Sequence, residues 1–344
     1  MKINFSLVRK VKEFEKALER KDCEVVLEYL DDYLEGIEKE DELRELLKKL
    51  ENLVLECEGE SAYELAHEIA HIYAHLDEIE KGIELYKKLA ENYKSDEEKY
   101  SEALYYLADA YEHFGMPDKA IEVYEQLLEL ERGRRDKKEE ALTLAHIAIN
   151  YEELGDLDKA IELMDRAREL FEELGDERNY LISLIDLAHF YYEKGEDEKA
   201  EEFIREVLKS PRDKEIEVNA RLVEAEIYSS RDDYKSAFKS LSKALLKAQE
   251  DEELFEYTFE TVTDFIKSLF DEGLYKELKD TLDVFVNAFE EDEEYKAFFE
   301  ALRELAKFKL GEENKFEEVY NRVPEELREF IDELKKPKLG LLSL

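Results

Sequence analysis

The sequence contains no tryptophan, only four prolines and only eleven glycines in 344 residues. Because proline and glycine are the residues that most often interrupt helices, their scarcity favours a chain that is almost wholly helical. No stretch reaches the roughly 20 apolar residues that a membrane-spanning helix needs, and residues 1–14 lack the apolar run of a secretion signal. We therefore expect a cytoplasmic protein without a membrane anchor.

Positive charge is also in short supply, since 51 lysines and arginines stand against 93 aspartates and glutamates, for a formal net charge of −42. The acidic residues are spread along the chain, so the protein should repel nucleic-acid phosphates and anionic lipid and attract basic partners. Hydrophobic residues make up 44% of the chain and aromatic residues 11%, which is enough apolar surface for a packed core. The abundance of charged residues is also typical of thermophilic proteins.

Cysteine is nearly absent. Cys23 and Cys57 lie 34 residues apart, and neither belongs to a CxxC motif or has a histidine close by in the sequence. Cysteines in this setting more often serve as small buried side chains than as a redox pair or metal ligands. We interpret both as buried structural residues.

Comparison of the sequence with itself shows a repeat with a period of 40 residues. Leucine, alanine, tyrosine and glycine recur at matching positions in three copies, and each copy continues with a Lys-Ala pair. So many coincidences predict a repeat architecture. The recurring residues are Leu104, Leu144 and Leu184; Ala108, Ala148 and Ala188; Tyr111, Tyr151 and Tyr191; Gly115, Gly155 and Gly195; and Ala120, Ala160 and Ala200.

Each copy predicts a pair of helices. The apolar residues from Leu104 to Tyr111 have helical spacing, Gly115 marks where the chain leaves the first helix, and Ala120 to Leu128 gives the second. The small alanines allow the helices to cross closely. Because one pair cannot bury both of its faces alone, neighbouring pairs must stack.

At these residues the chain resembles the tetratricopeptide repeat (TPR) family, whose motif order is matched by Leu107, Ala108, Tyr111, Gly115, Ala120, Ile121 and Tyr124. The 40-residue spacing and the junction at Leu174 to Asp176 resemble the long-helix subgroup that includes kinesin light chains and Pins-type polarity adaptors. The family's first-helix aromatic residue and closing proline are missing here. The resemblance implies an all-α, right-handed superhelical solenoid of stacked antiparallel helix pairs.

The repeat register extends with lower fidelity in both directions and divides the chain into four predicted parts. Residues 1–60 are expected to be an N-terminal helical cap, because they are helical without the motif. Regular TPR-like repeats follow over 61–210 and divergent repeats over 211–322. A C-terminal capping helix and an apolar tail are expected over 323–344.

One short motif suggests catalytic chemistry. The segment from His67 to His71 matches the H-E-x-x-H pattern of zinc hydrolases, in which two imidazoles on one helix face hold the metal and the glutamate, here Glu68, acts as base. His75 extends the series, but about 12 Å along the helix separates it from His67, too far to share one ion. The usual downstream ligand patterns are also missing. We therefore keep a zinc hydrolase as an alternative and predict no metal, no cofactor and no enzymatic activity.

In the family that the chain resembles, the first helix of each pair lines the concave surface, and the register places five of the six histidines there. This lining mixes aromatic, aliphatic and acidic side chains, which suits a peptide with apolar anchors and basic residues between them. Its aliphatic members have a second interpretation as core between adjacent pairs. The predicted groove residues are His67, His71, His75, Tyr105, Asp109, Glu112, His113, Ile149, Glu152, Ile185, His189 and Tyr192.

Two further segments are predicted as second contacts. Arg132, Arg134 and Arg135 form a basic island at a helix junction, where a solvated connection is the commoner outcome. The leucines of the tail, Leu341, Leu342 and Leu344, either cap the last helix pair or dock on a partner or a second copy. Capping of exposed core by terminal segments is typical of solenoids.

The sequence thus predicts a protein-protein interaction scaffold, or adaptor, whose acidic, aromatic groove binds a basic or amphipathic segment of another protein. One alternative is an acidic factor that docks on the basic proteins of a large assembly such as a ribosomal subunit, with a homodimer allowed. The others are a sensor that closes on a small signalling peptide and the zinc hydrolase. Neither a sequence-specific nucleic-acid partner nor a membrane is expected.

Overall fold

The computed structural model describes residues 5–37, 39–57 and 59–336. These residues form nineteen α-helices and no β-strand, so the predicted all-α class is confirmed. The chain divides into two compact units, of which unit 1 ends at Leu170 and unit 2 begins at Phe171. None of the described helices is both long enough and apolar enough to cross a membrane.

Unit 1 contains the helices up to the division, which falls inside the last of them. They are α1 (Phe5–Arg20), α2 (Cys23–Leu34), α3 (Glu40–Val54), α4 (Glu60–His75), α5 (Ile79–Tyr93), α6 (Glu97–His113), α7 (Pro117–Arg134), α8 (Lys137–Glu153) and α9 (Leu157–Leu174). Helices α4 and α5 pack as one pair and α6 and α7 as the next, and α5 also packs on α6 and α7 on α8. Stacked helix pairs, as predicted, therefore build this unit.

Unit 2 continues with ten helices. They are α10 (Glu177–Glu193), α11 (Asp197–Lys209), α12 (Lys214–Ser230), α13 (Tyr234–Ala248), α14 (Glu252–Glu272), α15 (Tyr275–Thr281), α16 (Asp283–Ala288), α17 (Glu293–Lys309), α18 (Phe316–Tyr320) and α19 (Glu325–Lys335). Its core is richer in phenylalanine, with Phe238, Phe285 and Phe298 fully buried. Where the repeat diverges, short helices such as α15, α16 and α18 take the place of full-length ones.

The first helix of each regular pair begins and ends with recurring residues. An aspartate caps the N-terminus, and Asp96, Asp136 and Asp176 each accept a hydrogen bond from the backbone N–H three residues on. Glycine follows the C-terminus with positive φ, as at Gly115 and Gly155, a conformation that costs other residues strain. These caps fix the helix lengths and so the level at which first-helix side chains lie.

The repeated alanines occupy the helix-crossing positions, as predicted. Ala108, Ala148, Ala120 and Ala160 are all fully buried. Because a methyl group is the largest side chain that fits between closely crossing helices, these positions set the spacing inside each pair. The larger apolar residues of the motif fill the space on either side.

The interpretation of the two cysteines as unpaired buried residues is wrong, because Cys23 and Cys57 form a disulfide. Their Cα atoms lie 6.1 Å apart, with Cys23 at the start of α2 and Cys57 just after α3. Stacked helices bring residues about one repeat apart in sequence to the same level, so a separation of 34 residues suits a cross-link. The bond ties α2 to the end of α3 inside the N-terminal region.

The predicted C-terminal helix is present as α19, whose Ile331 and Leu334 are buried. The apolar tail that was expected to cap it, including Leu341, Leu342 and Leu344, lies outside the described residues.

Candidate functional site

The predicted groove residues all lie on first helices, and those of unit 1 are accessible. His67, His71 and His75 lie on α4, while the others lie on α6 and α8; all are exposed or half-buried. In unit 2 only part of the predicted groove residues are accessible. His189 and Tyr192 of α10 are half-buried, but Ile185 is only 7% exposed and belongs to the core. The unit 1 residues outside α4 are Tyr105, Asp109, Glu112, His113, Ile149 and Glu152.

A cavity of about 480 Å³ opens between α6, α7 and α8. We call it the acidic pocket, because five carboxylates line it against one arginine and one histidine. Two tyrosines, two leucines and two hydroxyl residues complete the wall. The lining residues are Glu98, Ser101, Glu102, Tyr105, Tyr106, Leu127, Glu131, Arg134, Asp136, Glu139, Leu142, Thr143 and His146.

Aromatic rings form a connected wall of the acidic pocket. The rings of Tyr105 and Tyr106 meet edge to face at 5.5 Å, and Tyr105 also lies edge to face with His146 at 5.7 Å. His146 stacks on the buried Tyr124 at 5.1 Å, and Tyr106 stacks on Tyr63 at 4.0 Å. Because each ring is held by the next, the accessible face of Tyr105, which is 37% exposed, has a defined orientation.

A polar network supports His146 from behind. The Nδ1 atom of His146 lies 3.6 Å from a carboxylate oxygen of Glu112, and the side-chain amide of Asn150 donates to that oxygen at 2.8 Å. Burial raises the pKa of Glu112, but His146 and Asn150 outweigh burial and hold that pKa below its usual range. Burial followed by the nearby Glu112 raises the pKa of Asp109 instead. The two carboxyls of α6 are thus differentiated by their neighbours.

The inner end of the acidic pocket holds a buried carboxyl. Glu131 is 2% exposed, and its only hydrogen bond among the described residues comes from the Thr143 hydroxyl at 2.9 Å. Burial raises the pKa of Glu131 to about 7, and the Thr143 hydrogen bond opposes that rise. Such a carboxyl is half ionised near neutral pH, and it can lose its proton fully when a cation enters the pocket.

A second cluster lies on α4 and α6, and we call it the histidine triad. The Nε2 atom of His71 is 3.0 Å from that of His67 and 3.1 Å from that of His113. Phe114 contacts all three rings. Burial, followed by the charges of His71 and His113, lowers the pKa of His67. The structure therefore joins His113, and not the exposed His75, to the pair that the sequence motif picked out.

The residues of the predicted basic island are all exposed at the end of α7. Arg132 pairs with Glu140 at 2.9 Å, and Arg134 lines the acidic pocket. Arg135 has positive φ and ends α7 in the left-handed conformation. The basic residues thus belong to the end of α7, and one of them forms an ion pair with a glutamate of α8.

Several residues of the site were missed by sequence reasoning. His146, Asn150 and Glu131 were not among the predicted residues, although His146 lies on the same α8 face as Ile149. The signal that could have found them is the repeat itself, since Asn150 lies 38 residues after its partner Glu112. A further cavity in unit 2, of about 530 Å³, was also missed; it is lined by Glu215, Asn219, Asp251, Glu253, Leu254 and Tyr257.

Comparison with known proteins identifies the class of fold. A family model described as "Tetratricopeptide repeat" matches residues 61–132 and 139–213. Over these residues, which take in helices α4 to α11, the chain matches the tetratricopeptide repeat family, and the predicted resemblance is confirmed. Repeats of this kind stack into extended surfaces that serve as scaffolds for protein interactions. No curated protein matches the chain as a sequence relative.

Several solved structures are similar to this chain. BtubC (BKLC) from P. vanneervenii is 17% identical, with 72% of this chain and 92% of that chain covered and a TM-score of 0.48. The quorum sensor NprR from B. thuringiensis is 16% identical over 96% and 97%, with a TM-score of 0.48. A Rap protein complexed with Competence and Sporulation Factor is 17% identical over 89% and 98%, with a TM-score of 0.49. At such low similarity, none of their ligands is transferred to this chain.

Proposed function

We propose that the acidic pocket of unit 1 binds a basic or amphipathic segment of another protein, and that the chain acts as a scaffold or adaptor. The observation that supports this most directly is the combination in one cavity of five carboxylates with accessible tyrosines. A lysine or arginine side chain has both parts of the matching surface, an apolar stem and a cationic head.

Charge favours such an occupant. Glu98, Glu102 and Glu139 are exposed at the rim, and Glu131 lies at the inner end. The whole chain carries a formal net charge of −42, so a basic segment is attracted before contact is made. An acidic segment would meet five carboxylates against one arginine in the pocket.

Apolar contact adds selectivity to the charge. The ring of Tyr105, its neighbour Tyr106 and the side chain of Leu142 are presented beside the carboxylates. Aromatic rings that are rigidly held bury apolar area at little cost in conformational entropy and accept cations on their faces. The preferred segment therefore carries apolar anchors between its basic residues.

The carboxylates of the rim can be tested with a fluorescent peptide of alternating lysine and leucine and its glutamate-leucine counterpart. In the variant with Glu98→Gln and Glu102→Gln, we expect the lysine-leucine peptide to bind about 3- to 10-fold more weakly by anisotropy. The matched control is Glu122→Gln with Glu129→Gln, which removes the same charge from exposed positions on α7. Equal losses in both variants, or equal binding of the two peptides, would refute the proposal for this pocket.

The alternative is an acidic factor that docks on the basic proteins of a large assembly. Its binding would depend on the negative charge of the chain and not on contact with the tyrosines. Binding of that kind fades steeply between about 50 and 300 mM salt, because exposed charges are screened within a shorter distance. Binding through an apolar anchor persists. The response to salt therefore separates the two functions.

A further inference from the structure

The histidine triad is a convergence of three nitrogen atoms from two first helices. His67 and His71 come from α4, where a spacing of four residues places both rings on one face. His113 comes from the C-terminal end of α6. The three ligand atoms lie within 4.8 Å of one another.

The spacing of these atoms fits a single small cation. Zinc binds imidazole nitrogen at about 2.0–2.1 Å, so two ligands of a tetrahedral ion lie about 3.3 Å apart. The two Nε2 separations of 3.0 and 3.1 Å are within a few tenths of that distance. The remaining pair, His67 and His113, offers ligand atoms within 4.8 Å of each other.

Hydrogen bonding among the rings does not account for this arrangement. The Nε2 atom of His71 faces two other Nε2 atoms, but it can offer only one proton or one lone pair. In either state it satisfies one neighbour well and leaves the other without a proper partner. Three lone pairs directed at one cation resolve the conflict.

The surroundings match those of a protein metal site. The Tyr86 hydroxyl lies 3.5 Å from His67 Nδ1, on the side of the ring away from the cluster, where a second contact fixes ring orientation. Phe114 packs beside all three rings. Among the described residues, no carboxylate is part of this ligand cluster, which favours an imidazole-binding metal over magnesium or calcium.

We propose that His67, His71 and His113 bind a divalent transition-metal ion of the zinc class, with a fourth coordination position left to water. The ion joins α4 to α6 and so locks two consecutive helix pairs together. This site is separate from the acidic pocket, since none of its three ligands lines that cavity. The expectation of no metal was based on the distance of His75 from His67 and on the missing downstream ligand patterns of zinc hydrolases, whereas here His113 of the next helix pair is the third ligand.

Metal binding is tested on the full chain after removal of bound ions with a chelator. Zinc is titrated in excess magnesium, which occupies the carboxylates of the acidic surface, and bound zinc is measured after dialysis. We expect one zinc per chain, and at least about 100-fold weaker binding in His113→Ala or His71→Ala, because each removes one of three ligands. The control is His75→Ala, which removes an exposed histidine from the same helix and should leave the affinity unchanged.

Cobalt provides a second readout that does not depend on a variant folding. Tetrahedral cobalt bound to nitrogen absorbs visible light strongly, whereas cobalt on scattered carboxylates keeps the weak spectrum of the hydrated ion. We expect the strong spectrum to saturate at one cobalt per chain. A weak spectrum with the unaltered protein, displacement of zinc by magnesium, or equal losses in His75→Ala and His113→Ala would overturn the proposal.

Discussion

Glu131 shows how a single buried side chain links the pocket to pH. A carboxyl whose pKa is about 7 in the folded chain, against an ordinary value of 4.5, keeps its proton in the folded state over that interval. The folded chain then binds more protons than the unfolded chain, so the free energy of unfolding falls as pH rises from about 4.5 to 7. Above pH 7 the carboxyl is ionised in the folded chain, and the full loss of stability is reached. Glu139 and Asp136 raise this pKa further, whereas Arg134 lowers it.

Replacement of Glu131 by glutamine removes the loss of stability that the buried charge causes, and it keeps the hydrogen bond with Thr143. Glu131→Gln still offers Thr143 an acceptor, so we expect it to match the unaltered chain near pH 4.5 and to be more stable by about 1–3 kcal/mol above pH 7. Urea denaturation at several pH values measures the difference. Glu129→Gln, an exposed neighbour, is the control and should show no such divergence. Parallel curves for all three proteins would contradict the assignment of a buried, protonated Glu131.

At the scale of elements, helices α4 and α5 approach each other closely at Gly82. A Cβ atom added to Gly82 would lie 2.5 Å from the Cα of Ala70 and 2.7 Å from its Cβ. Because the nearest atom is the backbone Cα of Ala70, no side-chain rotation can relieve the clash. The pair of α4 and α5 therefore depends on a glycine for packing, and this glycine lies within the first turn of α5.

A substitution pair tests this packing. We expect Gly82→Ala to destabilise the chain by about 1–3 kcal/mol, because the helices must separate to admit the methyl group. Gly133→Ala is the matched control: it also lies in a helix, but an added Cβ would have no neighbour within 4 Å. There the higher helix propensity of alanine should stabilise by up to about 1 kcal/mol. Thermal unfolding of both variants measures the changes in stability. An unchanged stability of Gly82→Ala would show that α4 and α5 do not cross this closely.

The disulfide also acts at this scale. It joins α2 to the end of α3, in the part of the chain that precedes the matched repeats. A cross-link of this length stabilises mainly by reducing the freedom of the unfolded chain.

For the whole molecule, the helical class and the repeat could be predicted because they depend on local periodicity. Leu104, Ala108 and Tyr111 carry that signal without any knowledge of their neighbours. Contacts between helix pairs could be predicted only approximately. Partners occur about one repeat apart, but the separation is 34 residues for Cys23 and Cys57, 38 for Glu112 and Asn150, and 42 for His71 and His113.

This variation explains both the correct and the incorrect parts of the site prediction. Which residue at such an offset makes contact depends on helix crossing and rotamer, which a sequence pattern does not specify. The sequence motif therefore selected His67 and His71 correctly as neighbours on one helix face, but His113 could not be matched to them. The same limit hid the disulfide and the contact between His146 and Glu112.

The central claim, a scaffold that binds a basic segment through an acidic and aromatic pocket, is tested most directly by the affinity of the lysine-leucine peptide for Tyr105→Ala over about 50 to 300 mM salt. The account predicts binding that persists in the unaltered chain at the highest salt and falls about 10-fold or more in Tyr105→Ala. Phe308→Ala, which removes another exposed ring, should bind as the unaltered chain does. Binding that vanishes by 300 mM salt and ignores the loss of Tyr105 would contradict the account and leave charge alone as the basis of recognition.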